Sequence, residues 1–448
     1  MNAPLPDPCA RALAILRLSE RSQGPLGIPE RKDLLARLER EVLAYKERIV
    51  QAANADFQGR SREETLFGEV LGVVSMLRHA RQNLGRWAKP RRVPVGLPFW
   101  PARAWIVPQP LGVVGVMAPW NYPFLLSLAP VAGALAAGNR VMLKPSEHTP
   151  RTALEIQRLL EDCLGPTIVQ TVLGGPETAR AFAQQKMDHL IFTGSTARGR
   201  EVAVAAAANL VPVTLELGGK CPAVVLPDAD LEAAASAIVT GKGLNAGQTC
   251  IAPDHVLLAG VPAERFVPIL EAAIRRHFPA GLGTRVVPHR RAQHLQDGAL
   301  TIVVDPPADS PLVREEIFGP TLPVHELGDL DRVIDRLRKQ DAPLATYLFT
   351  RDRAAEGRFL HEVPAGALVV GGTILHAAMA DLPFGGVGAS GMGRYHGQAG
   401  FDALSNLKAH VRAPRFSLAA LGQPPYGTTT ARLLARLLPD KAKRNETG

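Results

Sequence analysis

Val113-Val114-Gly115-Val116-Met117, Arg140-Val141-Met142-Leu143, Ile168-Val169-Gln170-Thr171-Val172 and His189-Leu190-Ile191-Phe192 are short apolar runs, and stretches of helical spacing such as residues 152–163 separate them. Apolar runs of this length bounded by turn formers read as strands buried on both faces. Strands that alternate with helices imply parallel pairing, because a parallel connection must travel back along the sheet and a helix does so. The reading is an α/β fold, a parallel sheet with helices on both faces. A second series begins near Val224-Val225-Leu226 and continues through residues 255–258, 322–324, 347–349 and 368–370. It predicts a second α/β domain, with the boundary at Gly218-Gly219.

Outward from these series the pattern changes. Before Trp87 the chain reads as helices, since Leu34, Leu35, Leu38, Val42 and Leu43 recur at helical spacing, as do Val70, Val73, Val74 and Leu77. Residues 90–110 are rich in proline, and Trp100, Ala102, Ala104 and Ile106 alternate as in an edge strand or hairpin. Beyond Pro424-Pro425-Tyr426, residues 431–438 form a short basic amphipathic pattern that suits a docking or frayed terminal helix better than a membrane-surface anchor.

A chain of 448 residues exceeds the roughly 250–300 over which single cores stop growing, which again argues for two domains. The formal charge of +9 raises nucleic acid as a partner. Its excess is scattered, with small clusters at Lys89, Arg91 and Arg92, at Arg275-Arg276, at Arg290-Arg291 and in residues 441–444, and no recognition module accompanies it, so no nucleic-acid partner is expected. Cys9, Cys163, Cys221 and Cys250 show neither a disulfide framework nor a metal-ligand spacing, so no metal is expected and a reducing compartment fits. The N-terminus lacks the basic start and apolar core of a secretory signal. The longest apolar run, residues 124–138, is shorter than the ~20 residues of a membrane span. The expectation is a soluble cytoplasmic protein without membrane insertion.

Chemistry concentrates in four places. Cys250 ends Asn245-Ala246-Gly247-Gln248-Thr249-Cys250, where glycine lets backbone approach a ligand and the neighbours are polar. A lone free cysteine is usually structural, and Cys221 in its apolar run looks like that case. Glu216, flanked by leucines in Thr214-Leu215-Glu216-Leu217-Gly218-Gly219, reads either as a partly desolvated base or as a strand-end carboxylate facing water. Asn121 follows a strand at the carboxyl edge of the sheet, where an amide can stabilise an oxyanion or simply form a turn. Of two glycine loops, Gly386-Val387-Gly388-Ala389-Ser390-Gly391 has the dinucleotide spacing but no strand before it, and is rejected as a phosphate cradle. Thr193-Gly194-Ser195-Thr196 follows a strand and opens an alanine-rich helix, whose N-terminus suits a pyrophosphate.

Seven strings stand in one order: PWNYP, KPSEHTP, FTGST, ELGGK, GQTC, EEIFGP and LPFGG. Together they resemble the aldehyde dehydrogenase superfamily, and DFQGRSREET, GQTCIAPDHVLL and PPYG look most like its coniferyl aldehyde dehydrogenases and class-three-like members. The resemblance implies a Rossmann-like NAD(P)-binding domain (1–96 and 111–217), a catalytic domain (218–394), a small β-hairpin arm for homodimerisation (97–110 and 395–415) and a tail (416–448). It implies NAD, with NADP possible, and aromatic or medium-to-long aliphatic aldehydes oxidised through a thioester. Cys250 would be the nucleophile, Asn121 an oxyanion donor and Glu216 the base for the deacylating water. Lys144 and Glu147 would hold the adenosine ribose, and Gly194 and Ser195 the phosphates. Glu316 and Phe318 would fix the nicotinamide ribose and ring, with Trp120 and Leu217 completing the cofactor site. Without the family, Lys144 and Glu316 would each read as half of a surface ion pair.

One departure stands out. Residues 281–309 are shorter than the family's usual segment, and a nucleotide-binding descendant with weak or no catalysis is the alternative this raises. A coenzyme-A-acylating relative is disfavoured, since that subgroup commonly lacks the glutamate present here as Glu216.

Overall fold

Apolar spacing in the first 87 residues produces the helices Pro8–Gln23, Ile28–Phe57 and Leu71–Trp87 in the computed structural model, which describes residues 7–285, 298–415 and 422–438. Leu34, Leu35, Leu38, Val42 and Ile49 fall on one face and are buried, while Leu43, one position out of phase, is exposed. Between the second and third of these helices a π-helical turn, Leu66–Val70, carries Glu69 inward to full burial and leaves Phe67 in solvent. Such insertions recur at functional sites.

The first apolar series forms one six-stranded sheet, in the order Gly391–Met392, Val213–Leu217, His189–Gly194, Val113–Met117, Arg140–Lys144, Val169–Thr171. Its pairings are parallel except that Gly391–Met392 lies antiparallel to Val213–Leu217. Every residue of Val113–Met117 and Arg140–Lys144 is buried, as expected of strands covered on both faces. From Val113–Met117 the chain builds outward in one direction and then returns to pair His189–Gly194 on the other side. That reversal is the topological switch point, where open parallel sheets bind ligands beyond the carboxyl ends of the strands. Asn121, Lys144, Ser195 and Glu216 all lie at those ends.

The second series forms a separate parallel sheet in the order Thr301–Val304, Thr321–Glu326, His255–Leu258, Pro222–Val225, Thr346–Phe349, Leu368–Val370. Phe266 and Leu270, from the helix Ala263–His277, are buried in the core on one face, and Val333 and Phe359 in that on the other. The chain passes from one sheet to the other through Gly218-Gly219. Residues 281–309 supply an edge strand, Thr301–Val304, in addition to the strands expected of this series; residues 286–297 lie outside the described residues.

Among the described residues, 88–109 and those from 406 onward make up a second, smaller unit. The strands Arg91–Val93 and Arg103–Pro110 pair antiparallel and share a three-stranded sheet with Ser405–Arg412. The proline-rich stretch is therefore a hairpin, with Trp105 stacked on His410. The expected arm began at residue 395 in its second part, but Gly397–Ala403 is a helix belonging to the large unit. Of the expected tail, Thr428–Leu437 is a helix without a buried residue, and residues 416–421 and 439–448 lie outside the described residues. No helix among the described residues is long and apolar enough to cross a membrane.

Leu190 lies fully buried in the middle of the first sheet. Leu190→Ala is expected to remove about 2–5 kcal/mol, read as a lower urea midpoint and a weakened site at the strand ends. An unchanged midpoint would mean that this sheet does not limit stability.

Candidate active site

At the carboxyl edge of the first sheet lies a cleft of about 1190 Å³. Cys250, Glu216, Asn121, Trp120, Lys144, Glu147, Gly194, Ser195, Glu316 and Phe318 all line it. Leu217 does not, because its side chain is buried in the sheet's core against the space left by Gly199.

Cys250 is half-buried at the end of an unusual loop. After the helix Leu231–Gly243, residues Asn245, Ala246 and Gly247 take φ of 53°, 53° and 75°. For residues with a Cβ this left-handed region costs roughly 1–2 kcal/mol each. Side chains from elsewhere hold the loop: the Asn245 N–H donates to the Glu64 carboxylate, and Asn245 Nδ2 donates to Asn121 O at 2.9 Å and Gln248 O at 3.1 Å. Gly247 must be glycine for space as well, since a Cβ there would overlap the carbonyl oxygen of Gly319. Burial, Glu316 and Glu216 push the Cys250 thiol up to about 12, against the backbone N–H groups of Cys250 and Ile251, which favour the thiolate. Cys221, fully buried, donates its thiol to Cys250 O and accepts from the Ala345 N–H. It is a core cysteine.

Beneath the loop sits Arg60, which the sequence reading passed over. Its guanidinium pairs with Glu69 at 2.5 Å, donates to Asn121 O at 2.8 Å and to Asn245 Oδ1, and lies 3.6 Å from the centre of the Phe57 ring. The other Glu69 oxygen accepts from the N–H groups of Phe124 (2.6 Å) and Leu125 (3.2 Å), at the start of the helix Leu125–Ala137. One buried cation thus ties the backbone of Asn121 to the Cys250 loop. The Asn121 amide donates to Gln248 O at 3.0 Å, which accounts for one of its two hydrogens. No motif signalled Arg60. Its only trace in sequence was a charged residue inside DFQGRSREET.

Glu216 is 3% exposed, and neither oxygen has a hydrogen-bond partner among the described residues. Burial raises its pKa well above the usual carboxylate range, with the Arg394 charge opposing. Glu216 is therefore desolvated rather than a carboxylate facing water. The rejected glycine loop belongs here: Gly391 pairs with Glu216 across an antiparallel bridge, and Ser390 Oγ closes the turn onto Val387.

At the other end Lys144, only 4% exposed, pairs with Glu147 at 3.0 Å, so this is no surface ion pair. Burial alone would raise the Glu147 pKa; its own backbone N–H and Lys144 reverse that and hold it below its ordinary value. Ser195 caps the helix Thr196–Ala207, its hydroxyl accepting from Arg198 N at 3.4 Å. Gly194, Ser195 and Arg198 bring that helix N-terminus to the cleft wall, a setting that attracts phosphate. Glu316 accepts from Gly219 N at 3.1 Å, and Gly218 has no Cβ to obstruct it. Phe318, at φ 48°, meets Trp120 edge-on at 5.5 Å. Among the described residues no group of three or more His, Cys, Asp or Glu could hold a metal.

A sequence model of the aldehyde dehydrogenase family matches residues 20–297 and 282–410. The chain belongs to that family. The two matched segments overlap over residues 282–297. A probable coniferyl aldehyde dehydrogenase of Pseudomonas aeruginosa is 41% identical over 88% of this chain and 89% of its own length. The coniferyl aldehyde dehydrogenase of a Pseudomonas species is 38% identical over 95% of each. Among solved structures, the AldH of Staphylococcus aureus in a substrate-bound state superposes with a TM-score of 0.90 at 32% identity, covering 98% of this chain and all of its own.

Arg60→Ala is expected to cost about 3–5 kcal/mol, because it strands Glu69 as a buried unpaired charge. Replacing both partners with methionine should recover much of that stability in thermal unfolding. Turnover should stay low in the double variant, since the loop still lacks its tie; full turnover would show that Arg60 only stabilises.

Proposed function

We propose that this family member oxidises an aldehyde to the carboxylic acid with a nicotinamide cofactor, through a thioester on Cys250. The observation that carries the reading is the meeting of Cys250, the Asn121 amide and the partnerless carboxylate of Glu216 in one cleft. The same cleft continues past Glu316 and Phe318 to Lys144–Glu147 and the helix N-terminus at Ser195, features that fit a dinucleotide. Glu316 and the Phe318 ring would hold the nicotinamide end, Gly194 and Ser195 the pyrophosphate, Lys144 and Glu147 the adenosine ribose, and Trp120 would wall the passage. Glu147 favours NAD, by accepting from ribose hydroxyls and repelling a 2′-phosphate, while leaving NADP admissible. Leu217 acts only through the strand that carries Glu216. The relatives named for coniferyl aldehyde point to an aromatic aldehyde, with medium or long aliphatic ones as the second class.

Chemically, the Cys250 thiol must give up its proton to solvent water before or as it attacks the aldehyde carbon, since the thiolate is the nucleophile. The oxyanion then forms beside the Cys250 N–H and the free hydrogen of the Asn121 amide, which offset its charge. The bound cofactor supplies the hydride acceptor. Glu216 takes a proton from water, the resulting hydroxide adds to the thioester carbonyl, and collapse returns the Cys250 sulfur and releases the acid. The exposed strand Ser405–Arg412 and its hairpin are read as the arm of a homodimer. A free nucleophilic thiol suits a reducing, cytoplasmic setting.

Mixing the protein with NAD or NADP and a panel of aldehydes, with absorbance of the reduced cofactor as readout, tests this directly. Cys250→Ala should abolish turnover, and Asn121→Ala should lower kcat about a hundredfold to a thousandfold. Glu216→Gln should keep a first burst of reduced cofactor but lose steady-state turnover. Cofactor binding without turnover on any aldehyde would favour the non-catalytic descendant.

The pH dependence has a definite sign. Burial raises both Cys250 and Glu216, and both act deprotonated, so turnover should fall as pH drops through neutrality and climb into the alkaline range. A rate maximum on the acid side would contradict these assignments.

A further inference from the structure

A carboxylate buried without a donor prefers to be the neutral acid, yet a group that accepts a proton from water must be ionised beforehand. Neither Glu216 oxygen has a donor among the described residues. The groups facing it come from several elements. Thr214, on its own strand, is engaged with His189 of the next strand at 2.9 Å, and that imidazole, held at about 4 by burial, is neutral. Cys250 and Tyr395, both raised mainly by burial, are neutral too at physiological pH. Glu316, on the cleft wall, adds negative charge. Arg394 is the cation in this set.

Its seat is specific. Arg394 Nη1 donates to Gly393 O at 2.7 Å and to Gly386 O, so two glycine carbonyls fix the guanidinium. A Cβ on Gly385 would stand 2.8 Å from Arg394 Cδ and 3.0 Å from Glu216 Oε1, so the arginine stem and the carboxylate rest against the same glycine. A side chain there would push the two apart. The glycine run that mimicked a dinucleotide fingerprint thus brings a cation close to a base. It also takes up Nη1 of that cation, and neither Glu216 oxygen accepts a hydrogen bond from Arg394.

We propose that Arg394, clamped on the glycine wall beside Glu216, is a positioning residue that favours the ionised carboxylate through space, against the burial that opposes it, while leaving its oxygens free to accept the water's proton. A direct ion pair would hold the carboxylate charged but occupy the lone pairs the water needs. The proposal rests on the reading of Glu216 as the deacylating base.

The test follows the rate of the deacylation phase after the burst, from neutral to alkaline pH, for wild type, Arg394→Met, Arg394→Lys and Glu216→Gln. Arg394→Gln serves if the methionine variant does not fold, since its amide can still reach a glycine carbonyl without the charge. Loss of the cation should preserve the burst and move the acid limb of deacylation about one pH unit upward. Deacylation would then be about tenfold slower near neutrality and recover at high pH, with lysine restoring most of the wild-type profile. A limb that stays in place, or a loss equal at every pH, would overturn the role of Arg394. Deacylation at the wild-type rate in Glu216→Gln would instead overturn the base beneath it.

Discussion

The buried ion pair between Arg60 and Glu69 is the constraint on which the site depends. Taking two charges out of water costs several kcal/mol each, and their mutual attraction offsets that only when the remaining hydrogen-bonding positions are also filled. Here most of them are: Glu69 receives two N–H groups at the start of a helix, and Arg60 reaches Asn121 and Asn245 and stacks on Phe57. The pair joins three segments, the N-terminal helices, the turn after the first central strand and the loop before Cys250, which hydrogen bonds of Glu64 and Asn121 to that loop also link. A hydrophobic substitute could match its stability. It could not place two amide-bearing residues at set positions.

That placement opposes a cost. Asn245 and Ala246 sit in a backbone region that disfavours side chains, and the strain bends the chain so that Cys250 faces the cleft with N–H groups at its sulfur. The same loop closes on Gly319, directly beside Phe318, which is itself left-handed. The Cys250 loop and the Phe318 segment are therefore braced against each other, and movement of one is felt by the other. Across the cleft, Glu216 is held by a strand on one side and a glycine turn on the other, with no donor spent on its carboxylate.

Much of this was legible in the sequence, for physical reasons. Strands such as Val113–Met117 are buried on both faces and so read as uninterrupted apolar runs, and the residues at their carboxyl ends were placed in one cleft by topology alone. The edge strand Thr301–Val304 escaped notice because it is short and half-exposed, and Gly391–Met392 because a two-residue glycine-led pairing has no pattern. The resemblance implies a cofactor role for Leu217, whereas strand alternation turns it away from Glu216 into the core. Arg60 and Arg394 were invisible for a different reason. Each acts on a residue distant in sequence, Arg60 on Asn245 and Arg394 on Glu216, and spacing along a chain carries no trace of a contact made by tertiary folding.

The account as a whole stands on a covalent intermediate at one sulfur. The most direct measurement is mass spectrometry of the intact Glu216→Gln protein, quenched during reaction with cofactor and an aromatic aldehyde and then digested to locate the adduct. The account predicts an added acyl mass on the peptide containing Cys250, dependent on oxidised cofactor and absent from Cys250→Ala. Continued formation of reduced cofactor with no such adduct, or an adduct on Cys9, Cys163 or Cys221, would contradict it.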